Sequence, residues 1–159
     1  MLSEAEFIEG VREHENIIWK VISVYLDNPD EHEDLRQEIL LNAWKGIRTF
    51  RGESKFSTWL YRVALNTAIT FYKKDKKHQG VHKSMPDNFV EPVDEPADHE
   101  NRLAMNEAID RLSTIDKAVV MLYLDDYSYP EIADMLGITV NNLAVKMNRI
   151  KWRLKQKIV

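Results

Sequence analysis

The sequence predicts an all-α protein of two small helical domains joined by a flexible acidic linker, and three observations carry that prediction. Apolar residues recur at helical spacing in both halves of the chain, and no segment alternates apolar with polar at period two. From about Asp75 to Asp98 the periodicity fails, while Pro86, Pro92 and Pro96 accumulate with acidic residues. Charge is also segregated. Lys73, Lys74, Lys76, Lys77 and Lys83 surround a single acid, Asp75. Asp87, Glu91, Asp94, Glu95, Asp98 and Glu100 then follow without a lysine or arginine among them. The expected organisation is a first domain over residues 1–74, a linker over 75–98 and a second domain over 99–159.

Ser3 with Glu6 reads as a capping box, and Phe7, Val11, Ile18, Val21, Ile22 and Tyr25 continue one helix until Asn28-Pro29 interrupts it. A second helix is expected from about Asp30 to Gly46, with Leu35, Ile39 and Ala43 on one stripe. A third is expected from about Phe56 to Lys74, with Phe56, Leu60, Val63, Ala64 and Phe71 facing inward. Beyond the linker, helical pattern resumes with Leu103, Met105, Ala108, Ile109 and Leu112, then with Ile115, Val119 and Leu122.

The bulk properties exclude several functional classes. A chain of 159 residues with 44% hydrophobic and 30% charged residues is that of a globular protein. No apolar run approaches the roughly 18 residues of a membrane span, and the N-terminus lacks a signal sequence, so a cytoplasmic protein without membrane insertion is expected. The absence of cysteine removes disulfides, thiolate chemistry and most zinc sites. His78 and His82 lie in a lysine-rich segment without a third ligand, so no metal is expected. No phosphate-binding glycine loop or nucleophile motif occurs, and neither enzymatic activity nor a cofactor is expected.

The C-terminal segment from Pro130 to Leu143 has the spacing of a helix-turn-helix. Ser128 and Glu131 offer a capping box around Pro130, whose missing N–H costs nothing in a first turn. Ala133 is small enough for close helix approach, Gly137 can end the first helix in the left-handed conformation, and Thr139 can cap the second. Ile132, Leu136, Ile138, Leu143, Met147, Ile150 and Leu154 form the expected core. That leaves Asn141, Asn142, Val145, Lys146 and Arg149 for a DNA major groove. Lys146, Arg149, Lys151, Arg153, Lys155 and Lys157 make an acid-free basic run suited to phosphate contact, Arg153 included. The plain alternative is a helical hairpin that binds no DNA. Trp152 either packs against the end of the domain, the ordinary place for a tryptophan among helical core positions, or lies along the DNA backbone.

In the first domain, turning Leu35, Ile39 and Ala43 inward places Asp34, Gln37, Glu38, Leu41 and Lys45 on the outer face of the second helix. This is either a docking patch or a solvated face with one stray leucine. The third helix projects Lys55, Arg62, Asn66, Lys73 and Lys74 from a framework containing Trp59, Tyr61 and Tyr72, with Phe56 and Trp59 expected in the core. Positive charge there suits phosphates, and rings or a shaped loop can accept an unstacked base.

The order Asp34-Leu-Arg-Gln-Glu38, Trp44, Phe50-Arg-Gly-Glu-Ser54, Phe56, Trp59 to Asn66 and Phe71-Tyr-Lys-Lys74 resembles region two of the extracytoplasmic-function sigma factors of bacterial RNA polymerase. Leu112 to Leu143 resembles region four of the same family. The resemblance implies that the outer face bearing Asp34, Gln37 and Glu38 binds the clamp helices of core RNA polymerase. It implies that Arg51, Gly52, Glu53, Ser54 and Asn66 capture a flipped base of the downstream promoter element, while the second domain reads the upstream element. Arg62 and Lys73 are expected on the DNA backbone. It further implies regulation by an anti-sigma factor. Two departures occur: Leu112-Ser113 replaces the common Leu-Pro, which is another capping choice, and Asn141 stands where a small residue is usual, on the reading surface. The rival reading is a helix-turn-helix repressor or activator acting on duplex DNA alone.

Overall fold

A computed structural model describes residues 2–78 and 107–158, with side chains placed for 2–73 and 107–156. The described residues are helical and contain no strand. The chain divides into two compact units, Met1–His82 and Lys83–Val159. The acidic stretch from Asp87 to Glu100, and Leu103 and Met105, lie outside the described residues.

The first unit holds α1 (Glu4–Glu13), α2 (Glu15–Tyr25), α3 (Pro29–Gly46), a short 3-10 turn (Ile47–Thr49) and α4 (Phe56–His78). The single N-terminal helix expected from the sequence is two helices. Its apolar stripe has a gap at His14 and Glu15, and the chain bends there, with His14 at φ −116° and ψ 21°. The His14 amide donates to the carbonyls of both Gly10 and Val11, which closes α1. Ser3 caps α1 by accepting from the Glu6 amide at 3.2 Å, while its hydroxyl donates to the Glu6 carboxylate at 3.1 Å. Asn28 caps α3 by accepting from the Asp30 amide, ahead of Pro29 in the first turn.

Ile18, Val21, Ile22, Leu35, Ile39, Ala43, Leu60, Ala64, Leu65 and Ala68 are fully buried and make the core of α2, α3 and α4. Helix α4 runs to His78, four residues past the expected end at Lys74. Its stripe is also wider than expected, because Tyr61, Leu65, Thr67 and Ile69 are buried as well, whereas Val63 and Phe71 are half-buried. Tyr61 is therefore a core ring, covered by Lys20 at 5.8 Å, and offers no face to a base. Asn42 and Thr67 join α3 to α4 by a 3.0 Å hydrogen bond. Arg36 joins α3 to α2 through the Glu15 carboxylate at 2.7 Å, and that bond raises the guanidinium pKa above its ordinary value.

The second unit shows a helical stretch at 107–110, then α5 (Thr114–Leu124), α6 (Tyr129–Leu136) and α7 (Val140–Ile158). Ser113 caps α5, accepting from the Asp116 amide at 3.2 Å, so serine performs the capping that its sequence position suggested. Leu122, Ile132, Leu143, Met147 and Ile150 form the buried core of these helices, and Leu136, Ile138 and Leu154 border it half-buried.

Candidate functional site

The outer face of α3 lies where helical periodicity puts it. Asp34, Gln37, Glu38, Leu41 and Lys45 are all exposed, opposite the buried Leu35, Ile39 and Ala43. Leu41 is 45% exposed, and Trp44 beside it is 46% exposed. Trp44 was not among the expected docking residues. Its spacing was the available signal, since it falls one turn after Leu41 and two turns after Gln37. Its ring meets Phe7 edge-on with centroids 5.3 Å apart, so one edge is anchored and the other faces solvent. Two large apolar side chains thus stand exposed among carboxylates on one helix face.

A loop from Arg51 to Lys55 follows, every residue of it exposed. Gly52 takes φ +75° in open space, a conformation that disfavours any side chain. Phe50 and Phe56 bracket the loop and meet edge to face at 5.9 Å, and Trp59 packs on both at 5.4 and 5.5 Å. Phe56 also lies against α1 so closely that a Cβ on Gly10 would stand 2.7 Å from its ring. The loop is thus an exposed arch on an aromatic footing. From it, α4 carries Arg62, Asn66 and Lys73 along one exposed stripe, with Thr70 between them. Thr70, absent from the sequence expectation, spends its hydroxyl on the Asn66 carbonyl at 3.0 Å.

An open cleft between α1 and the loop is lined by Glu6, Glu9, Glu13 and His14 above the rings of Phe50 and Phe56. Its three glutamates make this cleft unfavourable for a phosphate group.

In the second unit the helix-turn-helix is built as its residues require. The Ser128 hydroxyl accepts from the Glu131 amide while the Glu131 carboxylate accepts from the Ser128 amide, completing the capping box. Gly137 ends α6 at φ +69°, and Thr139 accepts from the Asn142 amide at 3.1 Å to start α7. Asn141, Asn142, Val145, Arg149 and Arg153 are exposed and Lys146 is half-buried. Trp152 is 63% exposed and does not pack into the domain, because it falls opposite the Leu143, Met147 and Ile150 stripe.

Three cations of the basic run on α7 meet side chains of α5. Lys146 and Arg149 face Asp116 of α5, with N–O distances of 3.8 and 4.0 Å. Lys151 lies instead over the Tyr123 ring at 5.1 Å. Asp116 was missed by sequence reading, where α7 looked free of acids because its acid is supplied by another helix. Among the described residues no group of three or more His, Cys, Asp or Glu is placed to hold a metal ion. Among them, too, no helix is long and apolar enough to cross a membrane.

Comparison with known proteins follows the same division. The family described as Sigma-70 region 2 matches residues 11–78, and Sigma-70, region 4 matches residues 102–154. The chain is 30% identical over 132 residues to the RNA polymerase sigma factor YlaC of Bacillus subtilis, covering 79% of this chain and 76% of that protein. It is 27% identical over 165 aligned residues to the ECF RNA polymerase sigma factor SigW of the same species, covering 96% and 88%. Among solved structures, the fold is similar to the sigma factor RpoE co-crystallised with the anti-sigma factor NepR from Bartonella quintana. The TM-score is 0.64 at 19% identity, covering 92% of this chain and 94% of that one.

Proposed function

We propose a division of labour that starts from the family, for this chain belongs to the extracytoplasmic-function (ECF) sigma factors of RNA polymerase, within the sigma-70 family. As a sigma factor it directs the initiation of transcription. In the first unit, Asp34, Gln37, Glu38, Leu41 and Lys45, with Trp44 as the added apolar anchor, dock on core RNA polymerase. Arg51, Gly52, Glu53, Ser54 and Lys55 form the arch that, with Asn66, receives a base unstacked from the downstream promoter element. Arg62 and Lys73 hold the adjacent phosphates. In the second unit, Asn141, Asn142 and Val145 face base edges of the upstream element, and Lys146, Arg149 and Arg153 face its backbone and groove.

The strand opening is uphill, and the unstacked base and the polymerase contacts offset its cost without any bond being made or broken by this chain. It acts without catalysis of its own and in the cytoplasm. The structural relative bound to an anti-sigma factor supports a similar inhibitory partner here.

The observation that carries this reading is the exposed arch on its aromatic footing, next to the exposed Arg62 to Lys73 stripe, in the unit that does not contain the helix-turn-helix. A repressor or activator acting on duplex DNA needs α6 and α7 and has no use for that arch. Run-off transcription with purified core polymerase tests the assignment. A sigma factor yields promoter-specific transcript from core enzyme that is otherwise silent there, whereas a duplex-binding regulator yields none without another sigma.

A further inference from the structure

The side chain of Asp116 is 4% exposed, yet its Oδ1 makes no hydrogen bond among the described residues. It sits in the first turn of α5, where the helix N-terminus favours a carboxylate. Its charge is met by two cations of α7: the Lys146 ammonium at 3.8 Å from Oδ1 and the Arg149 guanidinium at 4.0 Å from Oδ2. Both distances exceed a hydrogen bond, so the carboxylate attracts the two side chains without fixing either one by a short contact. Lys146 and Arg149 share a helical stripe with Asn142, the residue placed to meet base edges. A buried carboxylate therefore stands behind the reading surface and draws on two of its positive charges.

We propose that Asp116 is a specificity-positioning residue, which holds Lys146 and Arg149 on the reading stripe and cancels one of their two charges. This rests on the assignment of α7 to DNA. Two cations facing one carboxylate present one net charge to a phosphate backbone, and a partly buried pair is screened little by salt. Sequence-independent attraction is lowered by that cancellation, whereas contacts whose geometry depends on the base are retained. Asp116 thus favours discrimination over raw affinity while never touching DNA.

The test uses reconstituted holoenzyme on promoter fragments with an intact or a scrambled upstream element, across a range of salt. Asp116→Asn is expected to tighten binding to the scrambled fragment several-fold and the intact one by less. It should also steepen the slope of log K against log salt by about 0.9, the value of one added phosphate contact. In a Lys146→Gln/Arg149→Gln background the same substitution should change neither slope nor discrimination. A merely structural role would lower the melting temperature and weaken both fragments with an unchanged slope, which overturns the proposal. Should Asp116→Asn fail to fold, the two glutamine variants decide. Slope losses that saturate near one contact, about 0.9, support shared neutralisation, and losses that add to two contacts, about 1.8, overturn it. If the glutamine variants leave binding to both fragments unchanged, α7 does not bind DNA, and the functional assignment fails with the proposal.

Discussion

Phe50 and Phe56 meet edge to face with their centroids 5.9 Å apart, and the five residues between them are the exposed arch of the first unit. The contact turns a flexible loop into one whose two ends are held together, which lowers the ordering cost of any ligand that the loop receives. Phe56 is held from the other side by α1, where it lies against Gly10.

That contact makes Gly10 a sensitive position. In a helix that nothing crowds, Gly→Ala stabilises by about 0.5–1 kcal/mol. Here the added methyl would stand 2.7 Å from Phe56 Cε1, in a ring already packed on Phe50 and Trp59. Gly10→Ala is therefore expected to destabilise by about 1–3 kcal/mol, as overpacking does. Denaturant unfolding reads the sign, and stabilisation would show that the ring moves aside freely.

Reversing charge at Asp34 and Glu38 together with Leu41→Ser is expected to weaken core polymerase binding at least tenfold, about 1.4 kcal/mol, with an unchanged melting temperature. All three side chains are exposed on α3, which is why the fold should tolerate the change. Trp44→Ala alone should cost at least as much as Leu41→Ser, since aromatic anchors dominate interfaces. Competition binding to core enzyme measures both, and undiminished affinity of the folded triple variant would remove α3 from the interface.

On α7, Asn142→Ala and Arg153→Ala should differ in kind. A side chain at a base edge changes the ranking of sites by about 1–3 kcal/mol, whereas a phosphate contact weakens every site alike. A panel of upstream-element mutants bound by holoenzyme distinguishes them. An unaltered ranking for Asn142→Ala would take that residue off the base edges.

The pH dependence of stability should carry a signature of Tyr25. Burial holds its phenol pKa far above the ordinary value of 10.0. The native state therefore keeps a proton that the unfolded chain releases, so this contribution is intact below pH 10 and is lost progressively as pH rises above it. Tyr25→Phe keeps the ring beside Tyr72 and removes that loss. The stability difference between wild type and Tyr25→Phe should be constant up to about pH 10 and then shift in favour of the variant. Parallel alkaline curves would contradict it.

Much of the fold was legible because the signals were local. Leu35, Ile39 and Ala43 set the α3 register, and Ser128, Glu131, Gly137 and Thr139 punctuate the helix-turn-helix with side-chain and backbone chemistry that acts within one turn. What escaped depended on distant neighbours. The bend at His14 was marked in the sequence only by the gap in the apolar stripe there, and the Phe56 ring seated on α1 at Gly10 comes from a distant helix. Trp44 is not among the residues expected on the outer face, although its spacing from Leu41 places it there. Asp116 gave no sign in sequence of facing Lys146 and Arg149, since that pairing arises from the packing of α5 on α7. Trp152 was readable in principle, because it falls opposite the core stripe of its own helix.

On the function proposed above, the two units perform separate steps, one opening the downstream element and the other reading the upstream one. Run-off transcription by holoenzyme on two templates, fully duplex and pre-opened across the downstream element, tests it most directly. Arg51→Ala/Asn66→Ala holoenzyme should be defective on duplex template and regain most of its activity on the pre-opened one, while Asn142→Ala/Arg153→Ala holoenzyme should stay equally defective on both. Equal rescue of both variants, or of neither, would contradict the division of labour.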